Sequence, residues 1–191
     1  ITLFGHTELQ DVDCIDVDNI RGAKNVVDRL IKAGHCRIGM INVLENKDYT
    51  ADRYAGYECA IEDAGIPVDP TLVIQAENSV EGGCSAAKKL LATTRCTAIF
   101  CATDTMAIGV CKAAAEMGLR VPEDFSLAGF DGLGHHLLCT PHVTTVRQPV
   151  YEIGERLAKT LLDRLDGSQK RICELVVPEV VEGQSVETVP R

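Results

Sequence analysis

The sequence predicts an α/β fold of doubly wound, mostly parallel sheets. Two observations carry that prediction. Short β-rich apolar runs alternate along the chain with segments whose apolar residues recur three and four positions apart. The alternation repeats as strand–helix units, which implies parallel strands with helices on both faces. A length of 191 residues suits one sizeable core or two small lobes. Aromatic residues are only 4% and tryptophan is absent, so Ile, Leu, Val and Ala must build the core.

The elements follow in order. "ITLFGHTEL" (1–9) reads as a strand and loop caught in the middle of a domain. The first clear helix follows "DVDN": Ala23, Val26, Val27, Leu30 and Ile31 share a face, Asp18 or Asn19 caps its start, and Gly34 ends it. "CRIGMINV" (36–43) is a strand, and a helix over about 51–64 turns Tyr57, Ala60, Ile61 and Ala64 inward before Gly65. "TLVIQ" (71–75) leads to a helix near 80–92 through Cys84, Ala87, Leu90 and Leu91. "TAIFCA" (97–102) leads to a helix from Asp104 to Met117, with Met106, Val110, Ala113 and Met117 inward and Gly118 behind. "FSLAGF" (125–130) and "VTTV" (143–146) are strands. A long helix then buries a stripe of Ile153, Leu157, Ala158, Leu161, Leu162 and Leu165, ending at Gly167. The tail reads as one or two short strands broken at Pro178.

Charge and composition narrow the function. A net charge of −9 argues against this chain itself coating phosphate backbones, so any DNA contact needs another segment. No apolar run approaches the roughly 20 residues of a membrane span. No secretory signal opens the chain, although an opening in mid-domain leaves room for one upstream. The nine cysteines are irregularly spaced with no C-x-x-C pair, which reads as small buried thiols in a reducing cytoplasm. Structural disulfides or a metal site are the alternatives.

In an open α/β sheet, ligands collect at the carboxyl ends of the strands. Two strands end alike there: "AIFCA" runs into Thr103 and Asp104, and "SLAGF" runs into Asp131 and Gly132. Asp104 stands where a helix begins and reads as its N-cap, leaving Thr103 to face the cleft. Asp131 is either a loop cap or a rim carboxylate that accepts hydrogen bonds from a polyhydroxylated ligand. Its "GLG" lacks the third glycine of a dinucleotide fingerprint, since position 137 is Leu. Arg53, at a helix start after a strand, is another rim residue, or simply a solvated arginine. His135 and His136 lack a spaced ligand set and read as a surface loop. No nucleophile elbow, phosphate loop or H-E-x-x-H occurs. Neither an enzyme, a cofactor nor a metal is therefore expected.

Four stretches, "VDNIRGAKNVVDRLIKAGHCRIGMI", "DRYAGYECAIEDAGI", "AIFCATDTMAIGVCKAAAEMGLRVPEDFSLAGFDG" and "PHVTTVRQPVYEIGERLAKTLLDRLDG", closely resemble the effector-binding core of lactose- and galactose-repressor-type transcription regulators. The likeness runs in order over nearly the whole chain. It implies a periplasmic-binding-protein-like core of type I: two doubly wound α/β lobes joined by crossovers, with a small effector between them. Residues 1–32 and 148–176 would form a partial first lobe, and 33–147 with 177–191 the second. The helix-turn-helix, the hinge helix and the first half of the first lobe are absent from this sequence.

The resemblance also assigns site residues. Arg53 in "DRYAGY" matches an arginine that bonds effector oxygens, Asp131 in "GFDG" an aspartate that binds ligand hydroxyls or amines, and Gln148 in "VRQP" a polar residue at the crossover. Thr103 stands where many members carry Asn, and Asn78 where many carry a stacking aromatic. The implied protein is a cytoplasmic, homodimeric regulator that senses a small metabolite, a sugar or nucleoside-like molecule, and reaches operator DNA through the absent domain. A sugar-binding protein of an import system shares the fold and is the alternative. An α/β sugar-modifying enzyme is a third reading without a nucleophile–base pair to support it.

Overall fold

The computed structural model describes residues 1–9, 11–44, 48–168 and 170–189. Residues 190–191, expected with the second lobe, lie outside the described residues. Among the described residues the chain runs β1 (Thr2–Phe4), β2 (Asp13–Val17), α1 (Asn19–Lys32), β3 (Ile38–Val43), α2 (Asp48–Asp63), β4 (Val73–Ala76), α3 (Val80–Thr93), β5 (Ala98–Cys101), α4 (Asp104–Met117), β6 (Ser126–Asp131), β7 (Thr144–Arg147), α5 (Val150–Leu165), β8 (Cys173–Val176) and β9 (Glu179–Val181). Single 3-10 turns cover Pro70–Leu72 and His135–Leu138.

The strands form two sheets. One has three parallel strands in the order β1-β2-β8, the other six in the order β4-β3-β5-β6-β7-β9. The large sheet is parallel except for β9, which runs antiparallel to β7 on its edge. Three passages link the sheets: β2 to α1 at 17–19, β7 to α5 at 147–150, and β8 to β9 at 176–179. The α/β class with parallel strands is as the sequence predicts.

Alternation along β6 shows how the large sheet is clothed. The Phe130 ring packs against Gly22 of α1, while its neighbour Gly129 opens the opposite face toward Asp104 of α4. Helices therefore cover both faces, and the core between them is aliphatic: Ile38, Met40, Ile41, Leu90, Ile99 and Leu127 are among its fully buried side chains. Helix ends follow local chemistry. The side chain of Asp18 caps α1 through the Arg21 N–H at 2.9 Å, and Gly118 ends α4 in the left-handed region at φ 71°.

Several expectations are corrected. Asp13–Val17 is a strand the sequence reading left unassigned, because its acidic residues interrupt the apolar pattern. Helix α1 packs on α2 and over β6, β7 and β9 of the large sheet. The chain passes from the small sheet to the large one near Asp18. Ala64 lies past the end of α2 and is exposed, and Met117 in the last turn of α4 is 39% exposed. On α5 only Ile153 of the predicted stripe is buried; Leu157 is intermediate, while Ala158, Leu161, Leu162 and Leu165 are exposed. The stripe is real as a pattern, but a sheet of three short strands is too small to cover it. Five cysteines are buried, whereas Cys36, Cys59 and Cys173 are exposed.

Candidate functional site

Strand β3 is followed by β4 on one side and β5 on the other, so chain direction switches between β3 and β5. Crevices open at such switch points beyond the carboxyl ends of the strands. Here a cleft of about 540 Å³ lies between the two sheets. Arg53, Asn78, Thr103, Asp131 and Gln148, the five residues singled out from the sequence, all line it. A larger hollow of about 620 Å³ beside β3 and β4 is lined by no charged side chain among the described residues. The charged, hydrogen-bonded cleft is therefore the better candidate for specific recognition.

Arg53 sits in the second turn of α2 and is 3% exposed, which removes the solvated alternative. Its guanidinium lies 3.6 Å from the Phe130 ring centroid and 4.8 Å from that of Tyr49. Such a sandwich favours a cation through the aromatic quadrupoles. Nε donates to Asn19 Oδ1 at 2.9 Å, and Nη1 donates to the Ala102 carbonyl and, at 3.2 Å, to Asp131 Oδ1. Burial draws its pKa down from the usual arginine value and the facing Asp131 carboxylate opposes that. Arg53 is thus a fixed part of the wall.

Asp131 ends β6 with φ at 127°, a region that non-glycine residues avoid. Backbone strain of this kind costs on the order of 1–3 kcal/mol and persists where surrounding structure imposes it. Gln148 imposes part of it: its backbone N–H donates to the Asp131 carbonyl at 3.0 Å and its Nε2 to Asp131 Oδ1 at 2.8 Å. Burial raises the Asp131 pKa, and Arg53 and Gln148 act against the rise. Oδ1 accepts from both side chains, the Asp104 backbone N–H adds a further pull on the carboxylate, and a carboxylate offers about four lone-pair sites. Accepting capacity remains for hydroxyls in the cleft.

Asp104 corrects the sequence reading. The N-cap of α4 is Thr103, whose Oγ1 accepts from Met106 N at 3.3 Å and donates to Asn78 Oδ1 at 2.7 Å. Asp104 is instead fully buried beneath β6, where it accepts from Thr145 Oγ1 at 2.6 Å and from the Gly132 N–H at 2.8 Å. It fits only because position 129 is glycine: a Cβ there would stand 2.3 Å from Asp104 Oδ1. Asp104 thereby pins the residue after Asp131. Burial pushes its pKa up to about 6, against the pull of Thr145 and Gly132.

His136, expected on a surface loop, is buried, with Nδ1 3.7 Å from Asp104 Oδ2 and no hydrogen-bond partner among the described residues. Burial lowers its pKa, so it stands as a neutral ring rather than an ion-pair partner. The sequence reading also missed Asn19, Tyr49, Asp16, Asp48, Phe4 and His6 on the cleft wall. The buried Asn19 was read as a possible cap, and nothing in the local pattern signals the others.

This architecture defines a two-sheet α/β module with a polar cleft between its sheets. The chain belongs to the periplasmic binding protein-like domain family, whose model matches residues 27–186. It is 36% identical over 174 residues to the HTH-type transcriptional repressor CytR of Escherichia coli, covering 87% of this chain and 51% of that protein. It is 33% identical over 184 residues to the HTH-type transcriptional repressor PurR of Haemophilus influenzae, covering 94% and 55%. Among solved structures it resembles a LacI family transcriptional regulator from Enterococcus faecium with bound ribose. That match has a TM-score of 0.88 at 26% identity and covers 96% of this chain and 69% of the other. The chain spans about half the length of the curated relatives it matches. Those relatives are transcriptional repressors rather than enzymes or importers. Among the described residues no helix is long and apolar enough to cross a membrane.

Proposed function

We propose that this domain is the effector-sensing part of a sequence-specific, cytoplasmic transcriptional regulator that binds a small neutral polyhydroxylated metabolite, a sugar or nucleoside-like molecule. In this reading the three-stranded sheet belongs to the first lobe and the six-stranded sheet to the second. The observation that carries the proposal is the Asp131 carboxylate, held at the cleft by Arg53 and Gln148 with accepting capacity to spare. Among the described residues of the wall, Asp16, Asp48 and Asp131 outnumber the one buried arginine. A neutral ligand rich in hydroxyls fits that balance better than a phosphate. Asn78 and Thr103 add amide and hydroxyl groups, and Phe4 and Tyr49 supply apolar faces for a sugar ring or a base. The ribose bound to the Enterococcus relative is consistent with this chemistry.

Regulation then follows from linkage. Gln148 and Asn19 stand on two of the three passages between the sheets, so a ligand that engages Asp131 and Arg53 also touches the hinge. A ligand favours the closed arrangement only by its difference in affinity for closed and open forms. A coupling of about 1–3 kcal/mol changes DNA affinity some 5–150-fold. The resemblance implies homodimerisation through this domain and operator contact through a separate DNA-reading segment, in keeping with this chain's net charge of −9.

Titration calorimetry on the full-length protein with a panel of sugars and nucleosides tests the proposal. A ligand should be found, and Asp131→Ala and Arg53→Ala should each weaken it by on the order of 1–3 kcal/mol, the cost of an unpaired polar group. Affinity unchanged in both variants would reject the site.

A further inference from the structure

We propose that His6, Cys14 and Cys173 form a binding site for one thiophilic d10 cation, with Zn2+ as its type. The three donors lie on the small sheet and its first loop: His6 in the loop after β1, Cys14 on β2 and Cys173 on β8. Cys14 and Cys173 are register partners on adjacent parallel strands, and their sulfurs are 2.7 Å apart. One imidazole nitrogen and the two sulfurs all lie within 4.8 Å of one another. Tetrahedral zinc with Zn–S near 2.3 Å and Zn–N near 2.0 Å places its donors about 3.3–3.8 Å apart. The cluster spans that range once the sulfurs part by about an ångström, a shift within reach of the exposed Cys173 side chain.

Both cysteines are free thiols. A cation between them takes both sulfurs as thiolates and releases two protons to solvent. Two thiolates and an imidazole select Zn2+ or Cu(I) over Mg2+, Ca2+ or Mn2+. The buried Cys14 closes the site on the protein side. The exposed His6 and Cys173 leave a fourth position for water. The ion would cross-link the three strands of the small sheet. Since His6 also stands on the cleft wall, it would fix the loop bordering the cleft. The proposal is independent of what the cleft binds.

The test uses the reduced full-length protein in oxygen-free buffer, with Cys36→Ser and Cys59→Ser removing the other exposed thiols. Titration with Co2+ should show one equivalent bound with sulfur-to-metal charge-transfer absorption, displaced by Zn2+. Because loss of the buried Cys14 could disturb the sheet, Cys173→Ser carries the decision. It should weaken binding by more than the roughly 10–100-fold that loss of a supporting partner costs a metal site, with the circular dichroism spectrum unchanged. His6→Ala should weaken binding at least about tenfold. Absence of the absorption, or equal affinity in Cys173→Ser, would overturn the site. So would a reduced protein that takes no metal while the oxidised one carries a Cys14–Cys173 disulfide.

Discussion

Asp13 and Asp104 show how the same side chain takes opposite pKa shifts from its surroundings. Asp13 accepts from Arg164 at 2.8 and 2.9 Å and from the Ile172 N–H, and its pKa falls to about 2. Its contribution to stability is present above the ordinary value near 3.8 and is lost as pH falls through 2. Asp104 meets only a hydroxyl and an amide while buried, and its pKa rises to about 6. Its protonated form therefore favours the folded state: that contribution is present below the ordinary value and is lost as pH rises through 6. Urea unfolding of the full-length protein between pH 4 and 6 should show a decline that Asp104→Asn flattens, by on the order of 2 kcal/mol across the window. An identical pH slope in the variant would contradict this assignment. Sequence reasoning placed Asp104 at the right helix end but gave it the cap that Thr103 provides. A one-residue shift there decides between surface and core, and only the backbone path resolves it.

At the scale of elements, close helix crossings depend on particular glycines. A Cβ at Gly109 of α4 would stand 2.2 Å from the Val80 carbonyl oxygen, and one at Gly83 of α3 would stand 2.3 Å from that of Met106. Gly109→Ala should destabilise by about 1–3 kcal/mol, the cost of overpacking. Gly154 in α5 meets nothing within 4 Å. Gly154→Ala should therefore stabilise by about 0.5–1 kcal/mol through helix propensity alone. Thermal or denaturant unfolding of the two variants should move in opposite directions. Most element positions were legible in the sequence, because apolar spacing and glycine stops mark helices that pack on a core. The 13–17 strand was not, since Asp13 and Asp16 break its apolar pattern and Asp13 finds its partners, Arg164 and Ile172, in a distant segment.

Across the whole molecule, burial is uneven. The large sheet has helices on both faces, whereas α5 leaves Leu162 61% and Leu165 76% exposed, and Phe4 and Leu175 of the small sheet are exposed as well. Exposed apolar patches of this kind promote association. In the 191-residue chain, Leu162→Gln with Leu165→Gln should reduce self-association in light scattering while changing stability by no more than about 0.5 kcal/mol. Loss of folding in that variant would show instead that these leucines are already covered. Ligand binding at the cleft should raise the melting temperature by mass action, equivalent to about 2.7 kcal/mol at a ligand concentration 100 times Kd.

The sequence by itself determined the α/β class, the order of the strands and helices apart from the 13–17 strand, and the rim residues Arg53, Thr103 and Asp131, because periodicity and strand ends are local properties. Gln148 and Asn78 were legible only through resemblance, since an isolated polar residue in a loop carries no pattern. The tertiary structure decided the rest: that α1 clothes the large sheet, that Arg53 is wedged between two rings, that Asp104 and His136 are buried under Asp131, and that Cys14 meets Cys173. Several of these depend on segments far apart in the chain: Arg53 meets Asn19 across 34 residues and Cys14 meets Cys173 across 159. Contacts at that separation depend on how the sheets stack and cross over, which no local pattern encodes.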